Sequence, residues 1–155
     1  MTTPTAIFAV FLGALGAVPA AAAPKITAYQ GIVQVRAAGT SGWALIREAA
    51  TPLAPGDTVR TGTRASATLT FDDRSRIELG ANGSFTLEDA VPAKSGIHLL
   101  LGTIRVKVEK FAARKFTVRT PVAVCSVRGT EFQVDVQAGG RTTVDLYQGL
   151  LAGED

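Results

Sequence analysis

The sequence predicts an all-β domain over residues 25–152: a jelly-roll or double-stranded β-helix-like sandwich of about ten short antiparallel strands. Three observations carry this. From Lys25 onward the apolar residues recur with a period of two, the pattern of strands that bury one face and wet the other. Turn signals built on Gly, Pro, Asn and Asp punctuate the chain about every 8 to 12 residues. Helical spacing of apolar residues is nearly absent, and the loop around Phe111 to Arg114 is the one place that would take a helix.

The first element precedes the domain. Ala6 to Val18 carries no charge, and Pro19 to Ala23 offers two A-x-A frames ending at Ala22 or Ala23, so residues 1–23 read as a secretory signal peptide. The apolar stretch, broken by Gly13 and Gly16, falls short of the roughly 20 residues a membrane span requires. Met1 to Ala6 holds no Lys or Arg, which leaves an uncleaved membrane anchor as the alternative. No Cys follows directly, so a lipid-modified cysteine is excluded. The expected location is periplasmic or secreted in a bacterium, with membrane contact only if the segment is retained.

The strands and turns follow in order. Val33 and Val35 alternate with Gln34 and Arg36, and Ala54-Pro55-Gly56-Asp57 suits a type II turn. Leu69 and Phe71 alternate with Thr68 and Thr70. Asn82-Gly83, between Ile77-Glu78-Leu79 and Phe85-Thr86-Leu87, is a strong hairpin signal. Ile104, Val106 and Val108 alternate with Arg105, Lys107 and Glu109. Pro121 is placed at the first position of a strand, where its missing N–H is tolerated. Alternation sets Cys125 with Ala123 and Val127 on a buried face. Gly139-Gly140 closes a second hairpin before Thr143-Val144-Asp145-Leu146. Tyr29-Gln30-Gly31-Ile32 is echoed at Tyr147-Gln148-Gly149-Leu150, and Val59-Arg60-Thr61 at Val118-Arg119-Thr120, which suggests two similarly wound halves.

Composition removes several function classes. With 155 residues, 46% apolar and 19% charged, the chain makes one compact domain and is not disordered. A single Cys and a single His, Cys125 and His98, leave no disulfide framework and too few ligands for the usual zinc or iron centre. His98 reads as a strand residue facing solvent or a neighbour. No nucleophile elbow, phosphate-binding loop or dinucleotide fingerprint occurs in the domain, so neither an enzyme nor a cofactor is expected. The carboxylates Asp72, Asp73, Glu78, Glu88 and Glu131 lack the aromatic surroundings of a sugar cleft, since Trp43 is the only Trp. Asn82-Gly83-Ser84 matches a glycosylation sequon, which the turn explains.

Charge is the one sharp functional signal. Lys94 to Arg119 holds seven basic residues (Lys94, Arg105, Lys107, Lys110, Arg114, Lys115, Arg119) against Glu109 alone, interleaved with Phe111 and Phe116. Residues 1–93 are neutral in sum and 120–155 carry −3. Two readings stand: these cations are the solvated face of a strand, or Arg105, Lys107, Lys115 and Arg119 meet a partner. Export disfavours nucleic acid, leaving an envelope protein or an anionic envelope polymer.

Gly56-Asp57-Thr58-Val59-Arg60-Thr61-Gly62, Ser66 to Phe71, Leu101-Gly102-Thr103-Ile104, Thr120-Pro121-Val122-Ala123-Val124, Val127-Arg128-Gly129-Thr130-Glu131-Phe132-Gln133-Val134 and Gly149-Leu150 stand in an order that resembles the FecR-type (ferric-citrate regulator) periplasmic domain family. Asp73-Arg74-Ser75 departs from that pattern, which usually has Asp-Gly-Ser. The resemblance implies a role in passing an envelope signal from an outer-membrane receptor toward a cytoplasmic sigma factor. The residues ahead of the apolar stretch are too few for a sigma-binding segment, so a stand-alone, non-catalytic binding or signalling module is expected. A membrane-anchored truncated regulator of iron-type signalling and a carbohydrate-binding jelly roll are the alternatives. Gly56, Asp57, Gly102, Pro121, Arg128, Gly129, Thr130 and Phe132 read as fold-holding, with Gly129 marking a bulge or close backbone approach and Arg128 in reach of a carboxylate such as Asp57 or Asp135. The final strand is short, so an edge near Tyr147 is expected to lie open to a partner.

Overall fold

The computed structural model describes residues 23–91, 94–109, 115–129, 131–148 and 151–154. Among them there is no helix, and hence none long and apolar enough to cross a membrane. The expected signal segment, the Phe111 to Arg114 loop and Thr130 lie outside the described residues. The strands are β1 (Lys25–Gln30), β2 (Val33–Arg36), β3 (Ala44–Leu45), β4 (Thr51–Pro52), β5 (Thr58–Thr61), β6 (Ser66–Thr70) and β7 (Arg76–Leu79). They continue as β8 (Ser84–Val91), β9 (Lys94–Lys107), β10 (Lys115–Arg119), β11 (Val124–Val127), β12 (Glu131–Val136), β13 (Thr142–Gln148) and β14 (Leu151–Glu154).

Two sheets share β9. One runs β4-β1-β6-β7-β9-β12-β13 and uses the C-terminal half of β9, Gly102 to Lys107. The other runs β3-β2-β5-β8-β9-β10-β11-β14 and uses the N-terminal half, Lys94 to Leu101. Their apolar faces form one core that includes Ile26, Leu69, Ile77, Phe85, Leu99, Val106 and Phe132. Phe71, at the end of β6, meets Phe116 of β10 edge to face at 5.7 Å, joining the two layers. The all-β sandwich, compatible with a jelly roll, is as the sequence predicts.

The strand count and pairing are not. There are fourteen strands among the described residues rather than about ten, in part because the two-residue strands Ala44–Leu45 and Thr51–Pro52 are too short to show alternation. β9 runs for 14 residues through Gly102. Gly102 has φ +95°, and a Cβ there would lie 2.6 Å from Gly83 Cα. Only glycine lets the strand bend from one sheet to the other at that contact. β10 pairs with β9 in parallel, with Val118 opposite Ile97. The chain leaves the second sheet along β9, enters the first, and returns as β10, the crossover that a parallel pair requires.

Asn82-Gly83 is likewise not a hairpin. β7 pairs with β6 and β9, β8 with β5 and β9, and the turn carries the chain between sheets. The Thr61 hydroxyl holds it there, donating to Gly80 O at 2.5 Å and accepting from Gly83 N at 3.0 Å. β7 and β8 both run antiparallel to β9, opposite Lys107 to Ile104 and then Leu101 to Lys94, so the Asn-Gly turn bends the chain from one sheet into the other without reversing it. The other turns match expectation. Gly56 has φ +93° and Asp57 N donates to Ala54 O at 3.0 Å, as a type II turn demands. Gly139 and Gly140, at φ +96° and +89°, join β12 to β13. The echoed segments fall in matching sheets, Tyr29 and Tyr147 in the first and Val59 and Val118 in the second. Their pairings differ, since β5 has only antiparallel neighbours.

Candidate functional site

The four expected partner-binding cations divide between the two sheets. Arg105 and Lys107 alternate with the buried Ile104 and Val106, so they stand on the outer face of the first sheet. Lys115 and Arg119 alternate with the buried Phe116 and Val118 on the second. The crossover after β9 is what separates a charge run that is continuous in sequence.

Each group is partly neutralised where it lies. Arg105 is in register with Glu78 on one side and Gln133 on the other, and its Nε is 3.6 Å from Glu131 Oε1. Arg76, Glu78, Arg105, Lys107 and Glu131 line one shallow recess of about 70 Å³, three cations against two carboxylates. Arg119 Nε lies 3.5 Å from Glu88, and Lys94 Nζ lies 3.2 Å from Asp89. Lys107 and Lys115 have no carboxylate within 4.0 Å among the described residues. Exposed pairs of this kind contribute at most about 1 kcal/mol each.

Beside Arg105 the first sheet ends at β13, which among the described residues pairs with β12 alone. A register shift at Glu131/Phe132 makes Tyr147 the extra residue of a bulge. The Tyr147 ring sits 4.9 Å from the Arg105 guanidinium carbon, and its hydroxyl donates to Gln133 Oε1 at 3.4 Å. Leu146, opposite the buried Phe132, remains 43% exposed, and Tyr147 50%. Among the described residues the edge expected near Tyr147 is thus unpaired, with apolar side chains on both of its faces.

The family-motif residues serve the turns and corners. Asp57 Oδ1 and Oδ2 accept from the backbone N–H of Ala38 at 2.9 Å and of Ala54 at 2.8 Å. Asp135 accepts from the Thr103 hydroxyl at 2.7 Å. The carboxylates suggested for Arg128 therefore have other donors, and Arg128 itself is exposed. Gly129 is not a bulge inside a strand. With φ +56° it forms the corner between β11 and β12, where the chain changes sheets. Pro121 precedes β11 rather than starting it. It stands in a tight turn closed by Thr120 N donating to Ala123 O at 2.8 Å and Ala123 N donating to Thr120 Oγ1 at 3.0 Å. Phe132 is fully buried.

Cys125 is buried opposite Val118, and burial pushes its thiol pKa up. A thiol so placed packs as a small apolar group rather than as a nucleophile. His98, half-buried on the outer face, is in register with Thr86 and Arg119. Among the described residues no three His, Cys, Asp or Glu side chains gather to hold a metal ion.

One constellation escaped the sequence reading. Trp43 directly precedes β3, whose pairing with β2 brings it beside Arg36. The Arg60 guanidinium carbon lies 3.8 Å and that of Arg36 4.9 Å from its ring centroid. The available signal was that Arg36 and Arg60 both alternate with strand valines, on strands close to the only Trp.

No curated protein and no solved structure shows significant similarity to the chain. The family model for FecR protein matches residues 57–152, from the Asp57 turn to β14, and so takes in Gly102, the Gly129 corner and the β12–β13 hairpin. By that match, which spans more than half its length, the chain belongs to the FecR protein family of envelope-associated regulatory domains.

Proposed function

We propose that this domain is an exported, non-catalytic recognition module of the bacterial envelope, which relays a signal by binding a partner protein along the free edge of β13. The carrying observation is that edge. β13 has a neighbour on one side only among the described residues, and Leu146 and Tyr147 remain exposed beside it. An unpaired strand offers a row of backbone donors and acceptors that any extended segment can complete, while flanking side chains select which segment. Arg105, stacked on Tyr147, and Lys107 add positive charge next to the edge and favour an acidic segment. The uncharged Ala6 to Val18 stretch with its small-residue cleavage frames supports export.

The test is photo-crosslinking from Thr143 and Asp145, on the edge strand, against a control probe at Thr70 on β6, which has neighbours on both sides. Crosslinks from Thr143 and Asp145 to one envelope protein, absent from Thr70, are expected. A partner that crosslinks equally from all three positions contradicts recognition by the edge.

A further inference from the structure

The outer face of the second sheet carries a site of a different kind, independent of the β13 edge. Most of the arginines on the sheet faces answer to a carboxylate: Arg76 to Glu78, Arg105 to Glu131 and Arg119 to Glu88. Arg36 and Arg60 do not. Neither has an acidic group within 4.0 Å among the described residues, yet their guanidinium carbons lie 4.9 and 3.8 Å from one Trp43 ring. The Arg60 Nε donates to Gln34 Oε1 at 2.7 Å, which fixes the plane of its fork and leaves both terminal amino groups without a protein acceptor among the described residues. The register explains the convergence. Gln34 pairs with Arg60 and Arg36 with Thr58 across β2 and β5, so the two arginines lie on a diagonal of one face, with Trp43 arriving from β3.

We propose that Arg36, Arg60 and Trp43 form a binding site for a phosphate-type oxyanion. Two like charges held together on an aromatic ring repel one another until an anion enters, and the ring and Gln34 have already ordered the side chains that would receive it. A guanidinium presents its donors in a planar fork. A single carboxylate, with two coplanar oxygens, satisfies one such fork; a tetrahedral phosphate has oxygens left over for a second fork in another plane. Two uncompensated cations also match the charge of a phosphate monoester.

Trp43 is the only Trp in the chain, so its fluorescence reports this site alone. The protein is titrated with inorganic phosphate, glycerol phosphate, acetate and chloride at constant ionic strength. A saturable change in Trp43 emission with inorganic phosphate is expected, and binding about tenfold or more weaker in Arg60→Gln and in Arg36→Gln. Arg105→Gln, on the other sheet, should bind as the wild type does. A response to glycerol phosphate as well identifies a phosphate carried on a larger molecule, and a response to inorganic phosphate alone identifies the free ion. No saturable change in the wild type overturns the proposal without reference to any variant. So does a response to acetate or chloride equal to that for phosphate, or one that persists in a folded Arg36→Gln/Arg60→Gln protein.

Discussion

Gly102 and Gly139 have almost the same backbone conformation, φ +95° and +96°, and differ in what surrounds them. A Cβ at Gly139 meets nothing within 4 Å, whereas one at Gly102 would lie 2.6 Å from Gly83 Cα and 3.3 Å from Gly83 N. Replacing each by Ala separates two costs. Forcing an L-residue into this conformation costs about 1 to 2 kcal/mol at either site. At Gly102 the backbone of the 80–83 turn must also move, which adds about 1 to 3 kcal/mol by analogy with overpacked cores. Gly102→Ala is therefore expected to lose roughly 2 to 5 kcal/mol, and Gly139→Ala about 1 to 2. Urea unfolding measures both. With a slope of about 2 kcal/mol per M for a small domain, the midpoints should fall by about 1 to 2.5 M and by about 0.5 to 1 M respectively. Equal shifts would refute the claim that close approach of the two turns, rather than backbone conformation alone, is what requires glycine where β9 changes sheets.

The remaining predictions follow from the turns and the core. Arg74 has φ +69° in the β6–β7 turn, where family members usually carry glycine, so Arg74→Gly should stabilise the domain by about 1 kcal/mol and raise Tm by about 3 °C. Asp57→Ala leaves the N–H groups of Ala38 and Ala54 without their acceptor and should cost about 2 kcal/mol in thermal or urea unfolding. Asp57→Asn should cost less, because its amide oxygen still serves one of them. Burial raises the Cys125 pKa, so the folded state holds the thiol proton more tightly than the unfolded state does. That stability is fully present below the unfolded thiol pKa and is lost as pH rises past it toward the folded value. The wild type should therefore lose stability relative to Cys125→Ala as pH rises above about 9. Its thiol should react with a disulfide reagent only after denaturant is added.

Much of the fold is legible because period-two alternation is a direct imprint of a half-buried strand. Val134 and Val136 alternate with Gln133 and Asp135 in sequence and are buried in β12. Glycines that need positive φ, such as Gly56 and Gly139, announce their turns. What alternation does not encode is which strand lies beside which. Asn82-Gly83 reads as a reversal in sequence, yet β7 and β8 run the same way along β9, and the close contact with Gly102, distant in sequence, marks where the chain passes to the other sheet. The same blindness affects the candidate sites. The basic run from Lys94 to Arg119 is one feature in sequence and two in space, because β9 spans both sheets. Arg36, Trp43 and Arg60 are three unremarkable positions in sequence and one cluster in space.

Amide hydrogen exchange along β13 tests the central claim of edge recognition most directly, measured on the free chain and on the complex recovered from bacterial envelope. In the free chain, alternate amides of Thr142–Gln148 should be protected by β12 and the others should exchange freely. In the complex, the freely exchanging set should become protected, as strand addition requires. A stable complex in which those amides exchange as fast as before would contradict it.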